Sequence, residues 1–165
     1  MIMTAALTPS LSTELSIRLD DLQDPRIAAF LEDHLADMRR TSPPESVHAL
    51  DLAALRRPEI QFWTVWQGEE LLGTGAIKLL GEQHAELKSM RTAPAARGRG
   101  VARALLQHIL GQARAQGLAR LSLETGSTPD FAPAHALYLS SGFVPCEPFG
   151  SYVLDPFSRY MTLAL

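Results

Sequence analysis

The chain has 165 residues, 15 Lys and Arg against 18 Asp and Glu, and a formal net charge of −3. This length fits one domain that buries a core without disulfides or metal, and the acidic balance argues against a general nucleic-acid binder. Because no apolar run approaches about 20 residues, the single cysteine has no partner, and no basic residue precedes the first short apolar patch, we expect a soluble cytoplasmic protein.

The first regular elements in chain order are a strand and a helix. Residues 14–19, ELSIRL, alternate polar and apolar side chains, as a half-buried strand does. From Ile27 to Met38, apolar side chains recur at spacings of three and four, which predicts an amphipathic helix. Asp24 is suited to the N-cap of this helix, with Pro25 in its first turn.

An irregular segment and three strands follow. Residues 39–55 contain the adjacent prolines Pro43 and Pro44, which break a helix, so we expect a shaped loop that leads into a short helix. Three β-rich runs separated by the turns GEE and GEQ then predict consecutive antiparallel strands: IQFWTVWQ, LLGTGAIKLL and HAELKSMRT.

The second half of the chain predicts two helices and three strands. Residues 101–116 repeat apolar positions with helical spacing, and Gly117 ends the helix. The run LARLSLET is the next strand, and FAPAHALYLSSG is a helix with Pro133 in its first turn and Gly142 after its end. Two closing strands are GFVPC and SRYMTLAL.

The element order is therefore β-α-β-β-β-α-β-α-β-β, which predicts a mixed α/β sheet with helices on its faces. Residues 1–13 show no periodicity, and we expect a flexible N-terminal tail there. Residues 14–165 then form a single domain.

The stretch RTAPAARGRGVARALL, at residues 91–106, has the composition of an anion site. The first NH groups of a helix are unpaired and carry partial positive charge, and Gly98 and Gly100 let the backbone approach a ligand closely. Arg97 and Arg99 add side-chain charge that suits a diphosphate. Neither the Walker pattern nor the three-glycine dinucleotide pattern is present. A basic glycine turn without a ligand is the alternative interpretation.

Two motifs carry a resemblance to a known family. RGRGVA, with Pro94 three residues upstream, resembles the pyrophosphate loop of the GCN5-related N-acetyltransferase (GNAT) family, and AHALYLSSGF resembles its second signature. The motif-level likeness covers residues 86–143, and the element order extends it over residues 14–165. SPPES, ELKSMR and LETG further resemble bacterial acetyltransferases of the YsnE type.

The resemblance implies a mostly antiparallel sheet of about six or seven strands and acetyl-CoA as the cosubstrate, without a metal. The pantetheine arm of acetyl-CoA would pair with the backbone of Met90, Arg91 and Thr92, in a split between two parallel strands. The diphosphate would meet the NH groups of the glycine-lined helix entrance. The cofactor-binding residues that this implies in the second segment are Arg97, Gly98, Arg99, Gly100, Val101 and Ala102.

The resemblance also implies two catalytic residues. Tyr138 falls at the position of the general acid, and the ordinary pKa of a tyrosine suits it to protonate a thiolate. Glu86 falls at the position where histone-type members carry the general base. A core aromatic and an exposed strand carboxylate are the alternative interpretations of these two residues. The family's Asn near residues 132–134 is missing here, and we do not expect His135 to replace it as a catalytic group.

The acceptor side should be built by loops that vary within the family. Glu45 and His48 lie in a polar segment scaffolded by prolines, and Glu124 and Ser127 follow a strand end, where open sheets place ligands. These four side chains are candidates for binding the acceptor. A solvated loop explains the first two equally well.

The predicted function is transfer of an acetyl group from acetyl-CoA directly, in a ternary complex, to a primary amine of a small molecule or an amino acid. A protein-amine acetyltransferase and a non-catalytic acyl-CoA-binding or sensing module are the alternatives, since a fold does not grant activity. No nucleic-acid or membrane partner is expected. A homodimer is possible, because QFWTVW offers apolar side chains on both strand faces.

Overall fold

The computed structural model describes residues 14–49 and 51–165, so the predicted tail at residues 1–13 lies outside the described residues. The helices are α1 (Pro25–Thr41), α2 (Leu52–Leu55), α3 (Val101–Ala115) and α4 (Ala132–Ser140). The strands are β1 (Ser16–Leu19), β2 (Ile60–Gln67), β3 (Glu70–Leu79), β4 (His84–Thr92), β5 (Arg120–Gly126), β6 (Val144–Pro145) and β7 (Ser158–Ala164). This order confirms the predicted one. Helix α2 is the short helix that follows the irregular segment at residues 42–49, the proline loop.

The seven strands form one mixed sheet in the order β1-β2-β3-β4-β5-β7-β6. Neighbouring strands are antiparallel, except that β4 and β5 run parallel. Strand β7 inserts between β5 and β6, so the last two strands are not added to the sheet edge in sequence order. The sheet is the mixed, mostly antiparallel one that the sequence predicts.

The single parallel pair comes apart along its length. Strands β4 and β5 are in register from His84 opposite Arg120 to Leu87 opposite Leu123. Both strands continue beyond these pairs, β4 by five residues to Thr92. Within the described residues, the side of β4 that faces β5 therefore has no strand partner after Leu87. This fork leaves backbone NH and C=O groups available to a ligand.

Apolar side chains cover both faces of the sheet. The larger core joins α3 and α4 to one face and includes Trp63, Ile109 and Leu121. The smaller core joins α1 and α2 to the other face through Phe62 and Trp66. The apolar residues of β2 are thus buried within one chain, and they no longer support the expectation of a homodimer.

Local backbone features place the ends of the helices where the sequence predicts them. Asp24 accepts a hydrogen bond from the Arg26 backbone NH at 2.9 Å, with Pro25 at the first helical position of α1. Gly100 precedes α3 with φ +79°, and Gly117 follows it with φ +79°. These conformations favour glycine, since a side chain is strained at such φ.

None of the helices within residues 14–49 and 51–165 is both long enough and apolar enough to cross a bilayer.

Gly126 allows the close packing of Phe131 on the end of β5. A Cβ at residue 126 would lie 2.1 Å from the Phe131 ring. We expect Gly126→Ala to destabilise the protein by about 1–3 kcal/mol through overpacking, measured by urea unfolding. Gly111→Ala is the matched control, because its Cβ would meet nothing within 4 Å and alanine favours the α3 helix by about 0.5–1 kcal/mol. Equal effects of the two substitutions would contradict this packing.

Candidate active site

The entrance to α3 presents a run of free backbone donors. Helix α3 begins at Val101, and Gly98 and Gly100 both have positive φ. Within the described residues, the backbone NH groups of residues 98–103 have no hydrogen-bond acceptor. Six adjacent unpaired donors at a helix N-terminus, whose dipole is positive, form a site that suits an anion.

These donors open onto a groove of about 840 Å³. The groove runs between α1 and α4, past the free end of β4. Of the predicted cofactor-binding residues, all but Arg99 line it: Met90, Arg91, Thr92, Arg97, Gly98, Gly100, Val101 and Ala102. A groove of this size, apolar along α4 and rich in donors at one end, matches an elongated ligand with an anionic group.

The arginines of the segment have different roles. Arg97 and Arg103 line the groove, and Arg103 donates to the Ser140 hydroxyl at 3.2 Å. The Arg99 side chain instead donates to Gln67 at 2.7 Å, at the end of β2. The structure therefore does not bring Arg99 together with the other predicted cofactor-binding residues.

Arg91 connects the free end of β4 to α1. Its guanidinium forms an ion pair with Asp37 and lies over the Phe30 ring at 5.4 Å. Asp37 is also paired with Arg40. Burial lowers the pKa of Arg91. Because the side chain is bound to Asp37 and Phe30 of α1, any contact of Arg91 with a ligand in the fork would involve its backbone.

A smaller pocket of about 100 Å³ adjoins the groove at the fork. Six side chains line both cavities and mark the junction between them: His34, Met38, Met90, Phe131, Ala134 and Tyr138. Beyond this junction, the smaller pocket is lined by polar side chains of β4, β5 and the proline loop: His48, Glu86, Lys88, Ser89, Glu124 and Thr125. The junction is where a reactive group carried in the groove would meet a second molecule.

Tyr138 on α4 is buried at this junction and packs edge-on against Phe143, with ring centroids 5.7 Å apart. Its hydroxyl makes no hydrogen bond to a residue that the structure describes. Burial raises the pKa of Tyr138 well above its ordinary value, and the nearby charge of Glu124 adds to the effect. The side chain is thus both a core aromatic, as the alternative interpretation had it, and a protonated hydroxyl that faces the cavity.

Glu86 is buried, so the alternative interpretation of an exposed strand carboxylate was wrong. Its carboxylate forms an ion pair with Lys88 at 3.1 Å, and both side chains are less than a tenth exposed. The Tyr152 hydroxyl donates to the same Glu86 oxygen at 2.5 Å and accepts from Lys88 at 3.1 Å. Opposite charges that leave water must be paired, and these three groups satisfy one another.

Glu124 on β5 is a second carboxyl group in the small pocket. Burial raises its pKa to about 7, and the charges of Glu86 and Asp155 act in the same direction. The Ser158 hydroxyl and the Lys88 ammonium oppose this effect. Glu124 therefore titrates near neutral pH, which suits it to acid–base chemistry.

The remaining predicted acceptor residues separate into two groups. His48 lines the small pocket and packs edge-on against Tyr152, with ring centroids 4.9 Å apart. Glu45 is exposed and lines neither cavity. Ser127 also lies away from both cavities, where its hydroxyl donates to the Pro156 backbone at 2.6 Å. Of these three residues, the structure brings only His48 to the pocket.

The loop between β6 and β7 packs against side chains that line the pocket, because Tyr152 contacts Glu86, Lys88 and His48. Ser46, in the proline loop, donates to Asp155 at 2.6 Å. Tyr160 donates to the Val153 backbone at 2.7 Å. Tyr152 belongs to the same loop and packs against Phe149. Two segments far apart in sequence thus form one wall.

His34 was missed by the sequence analysis. It faces both cavities from α1, and burial lowers its pKa to about 4, with Arg91 contributing. The imidazole is therefore neutral at neutral pH and can donate or accept one hydrogen bond at each nitrogen. Its position in the apolar repeat of α1 was the available signal, since a histidine there points inward.

Lys88 and Tyr152 were missed as well. The alternation of a strand places Lys88 on the same face as Glu86, which was a signal. Tyr152 lies 64 residues from Lys88, and no local pattern indicates that contact.

His135 has a hydrogen-bond partner within the fold. Its ring bonds the Gly126 backbone carbonyl at 2.7 Å. In the part of the chain that the structure describes, no group of three or more His, Cys, Asp or Glu side chains is arranged to hold a metal ion.

Comparison with known proteins identifies a matching family and relatives of this chain. The model of the acetyltransferase (GNAT) family matches residues 27–143. The chain is 53% identical over 150 residues to the uncharacterized N-acetyltransferase YedL of Escherichia coli K12, covering 91% of this chain and 94% of that one. It is 50% identical over 151 residues to the uncharacterized N-acetyltransferase YsnE of Bacillus subtilis 168, covering 92% and 100%.

Solved structures share the fold. A Klebsiella pneumoniae protein provisionally named an acyl-CoA N-acyltransferase superposes with a TM-score of 0.74 at 26% identity, over 92% of this chain and 97% of that one. A Bacillus subtilis acetyltransferase in complex with CoA gives a TM-score of 0.65 at 17% identity, over 92% and 99%. The second likeness concerns the fold alone.

Replacing Glu124 with Gln removes a carboxyl group whose ionisation the fold resists. Between its ordinary pKa of 4.5 and its folded value of about 7, the folded protein holds a proton that the unfolded chain has lost. Wild-type stability therefore falls as the pH rises through this window. We expect the stability advantage of Glu124→Gln over wild type to grow by on the order of 2–3 kcal/mol between pH 5 and pH 8, measured by urea unfolding.

The control for this measurement is Glu82→Gln, in the exposed turn between β3 and β4, which should show no such dependence on pH. A difference between Glu124→Gln and wild type that is constant with pH would contradict the assigned environment of Glu124.

Proposed function

Because this chain belongs to the acetyltransferase (GNAT) family, we propose that it transfers an acetyl group from acetyl-CoA directly to a primary amine of a small molecule or an amino acid. Both molecules would be bound together, one in the groove and the other in the small pocket. The observation that carries the proposal is the run of free NH groups at residues 98–103, which opens onto a groove. The groove adjoins a small pocket that holds the carboxyl groups of Glu86 and Glu124.

The residues of the groove fit the cosubstrate. A diphosphate needs several convergent donors, and the entrance to α3 supplies them from the backbone, with Arg97 beside it. The pantetheine amides need backbone partners, and the edge of β4 at Met90, Arg91 and Thr92 is free after the fork. Acetyl-CoA supplies the activated acetyl group as a thioester. Since these contacts are with the backbone, they do not require particular side chains at these positions.

The junction residues supply the chemistry that a thioester and an amine need. Tyr138 is protonated throughout the working pH range and faces the cavity, so it can give a proton to the departing sulfur. The Glu86 and Glu124 side chains are both in the small pocket, where a carboxylate can accept the proton of the amine.

The size of the small pocket supports a compact acceptor. A pocket of about 100 Å³ accommodates a compact group, and His48 lines it beside Tyr152 of the β6–β7 loop. The narrow end of a protein amine, such as a lysine side chain, is the alternative acceptor. A non-catalytic acyl-CoA sensor is the alternative to an enzyme, and it leaves the two carboxyl groups without a purpose.

Coenzyme A should stabilise the folded protein, because a ligand specific for the folded state shifts the unfolding equilibrium. At a concentration 100 times its Kd the stabilisation would be about 2.7 kcal/mol. We expect Gly100→Glu to abolish the shift in Tm, since its side chain would place bulk and negative charge among the free donors. Gly117→Glu is the matched control, because Gly117 has the same φ of +79° at the other end of α3. Loss of the shift in both variants, or in neither, would contradict the site.

Tyr138→Phe keeps the packing against Phe143 and removes the hydroxyl. We expect it to lower kcat about 10²- to 10⁴-fold, as the loss of a general acid does, while the Tm shift with coenzyme A is unchanged. The measurement is thiol release from acetyl-CoA with a panel of the proteinogenic amino acids, ethanolamine and putrescine as acceptors. Turnover equal to wild type with an acceptor from this panel would remove Tyr138 from the mechanism.

A further inference from the structure

Glu124 occupies the point at which the parallel strands separate. The last pair in register between β4 and β5 is Leu87 with Leu123, and Glu124 is the next residue of β5. Ser122, two residues earlier, is in register with Glu86. Strand alternation therefore places the Glu124 side chain on the same face of the sheet as Glu86, one step closer to the open fork.

Glu86 is poorly placed to take a proton from a substrate. One of its carboxylate oxygens is held by both the Lys88 ammonium and the Tyr152 hydroxyl. A proton on Glu86 would leave the buried charge of Lys88 without its partner, which is costly in the interior of a protein. Glu86 is in this respect a fixed negative charge. Among the described residues the Glu124 carboxyl group forms no ion pair, and the side-chain hydroxyl that acts on it is the neutral one of Ser158.

We propose that Glu124 is the catalytic residue that accepts the proton of the acceptor amine, and that Glu86 is a positioning residue, fixed by Lys88 and Tyr152, which shapes the pocket around it. This proposal rests on the proposed acetyl transfer and names the base of that reaction. It differs from the assignment that the family resemblance implies, in which Glu86 is the base.

The protons of the step are balanced by two residues that line the small pocket, Glu124 and Tyr138. The lone pair of a neutral amine forms a bond to the thioester carbon, and one N–H proton passes to the Glu124 carboxylate. The carbon–sulfur bond breaks, and the sulfur takes the Tyr138 hydroxyl proton. Tyr138 then regains a proton through the pocket as Glu124 releases one, so the net change moves one proton from nitrogen to sulfur.

The electrostatic surroundings support this division. The ionisable groups whose charges act on Glu124, or are acted on by it, are Glu86, Lys88, Tyr138, Tyr152, Asp155 and Tyr160. The histidines His34 and His48 line the same pocket, and burial lowers the pKa of both, that of His34 to about 4. A base must be ionised to act, so the rate should rise with pH through the Glu124 pKa of about 7.

The kinetic test compares wild type, Glu124→Gln and Glu86→Gln, with acetyl-CoA and the amino acid, ethanolamine and putrescine panel. We expect Glu124→Gln to lower kcat/KM at least 100-fold, to lose the inflection near pH 7, and to keep the Tm shift with coenzyme A. Glu86→Gln should retain the inflection. Glu82→Gln, an exposed carboxylate, should behave as wild type. An inflection that is lost in Glu86→Gln and kept in Glu124→Gln would overturn the proposal.

A second measurement needs no acceptor. The protonated carboxyl group of Glu124 gives an infrared band that is present in the coenzyme A complex of wild type and absent from that of Glu124→Gln. The loss of this band as the pH rises reports the titration of Glu124 directly. A midpoint near pH 7 supports the proposal, and a midpoint below 5 overturns it. Failure of the proposed function itself is distinguishable, because coenzyme A would then produce no Tm shift in wild type.

Discussion

The site depends on the termination of one strand pairing. Because β4 and β5 are hydrogen-bonded only as far as Leu87 and Leu123, the remaining five residues of β4 keep their backbone groups free on one side. A parallel pair inside an otherwise antiparallel sheet is easy to open at this end, since no hairpin joins the two strands. The groove lies at this opening, and the small pocket lies at its apex. All of the groups proposed to react are arranged around it.

The fork also explains how a buried site can be polar. Its apex holds the Glu86–Lys88 pair and Glu124, which would be unfavourable in a closed apolar core. Lys88 neutralises the Glu86 carboxylate, Tyr152 donates a hydrogen bond to the same carboxylate oxygen, and Glu124 stays protonated until the pH approaches 7. The β6–β7 loop, which Ser46 holds through Asp155, packs against this arrangement through Tyr152. Two like carboxyl groups in one cavity are thus given different protonation behaviour by their immediate partners.

Much of this arrangement could be predicted from the sequence, because it depends on local patterns. The positive φ of Gly98 and Gly100, the start of α3 and the inward position of Tyr138 follow from short-range rules and from motif resemblance. The burial of Glu86 and the direction of Arg99 could not be predicted. Each depends on a partner distant in sequence, Tyr152 for Glu86 and Gln67 for Arg99. The local sequence pattern is equally compatible with an exposed Glu86 and with an Arg99 that points into the groove.

The central claim is that the amides at the entrance to α3 bind a diphosphate, and amide hydrogen exchange on the ¹⁵N-labelled protein tests it most directly. Exchange at residues 98–103 should be fast in the free protein, because these NH groups have no acceptor among the described residues. The account predicts that saturating coenzyme A slows exchange there, while the Gln116 and Gly117 amides at the far end of α3 are unaffected. Binding of coenzyme A that leaves residues 98–103 unprotected and protects amides elsewhere would contradict it.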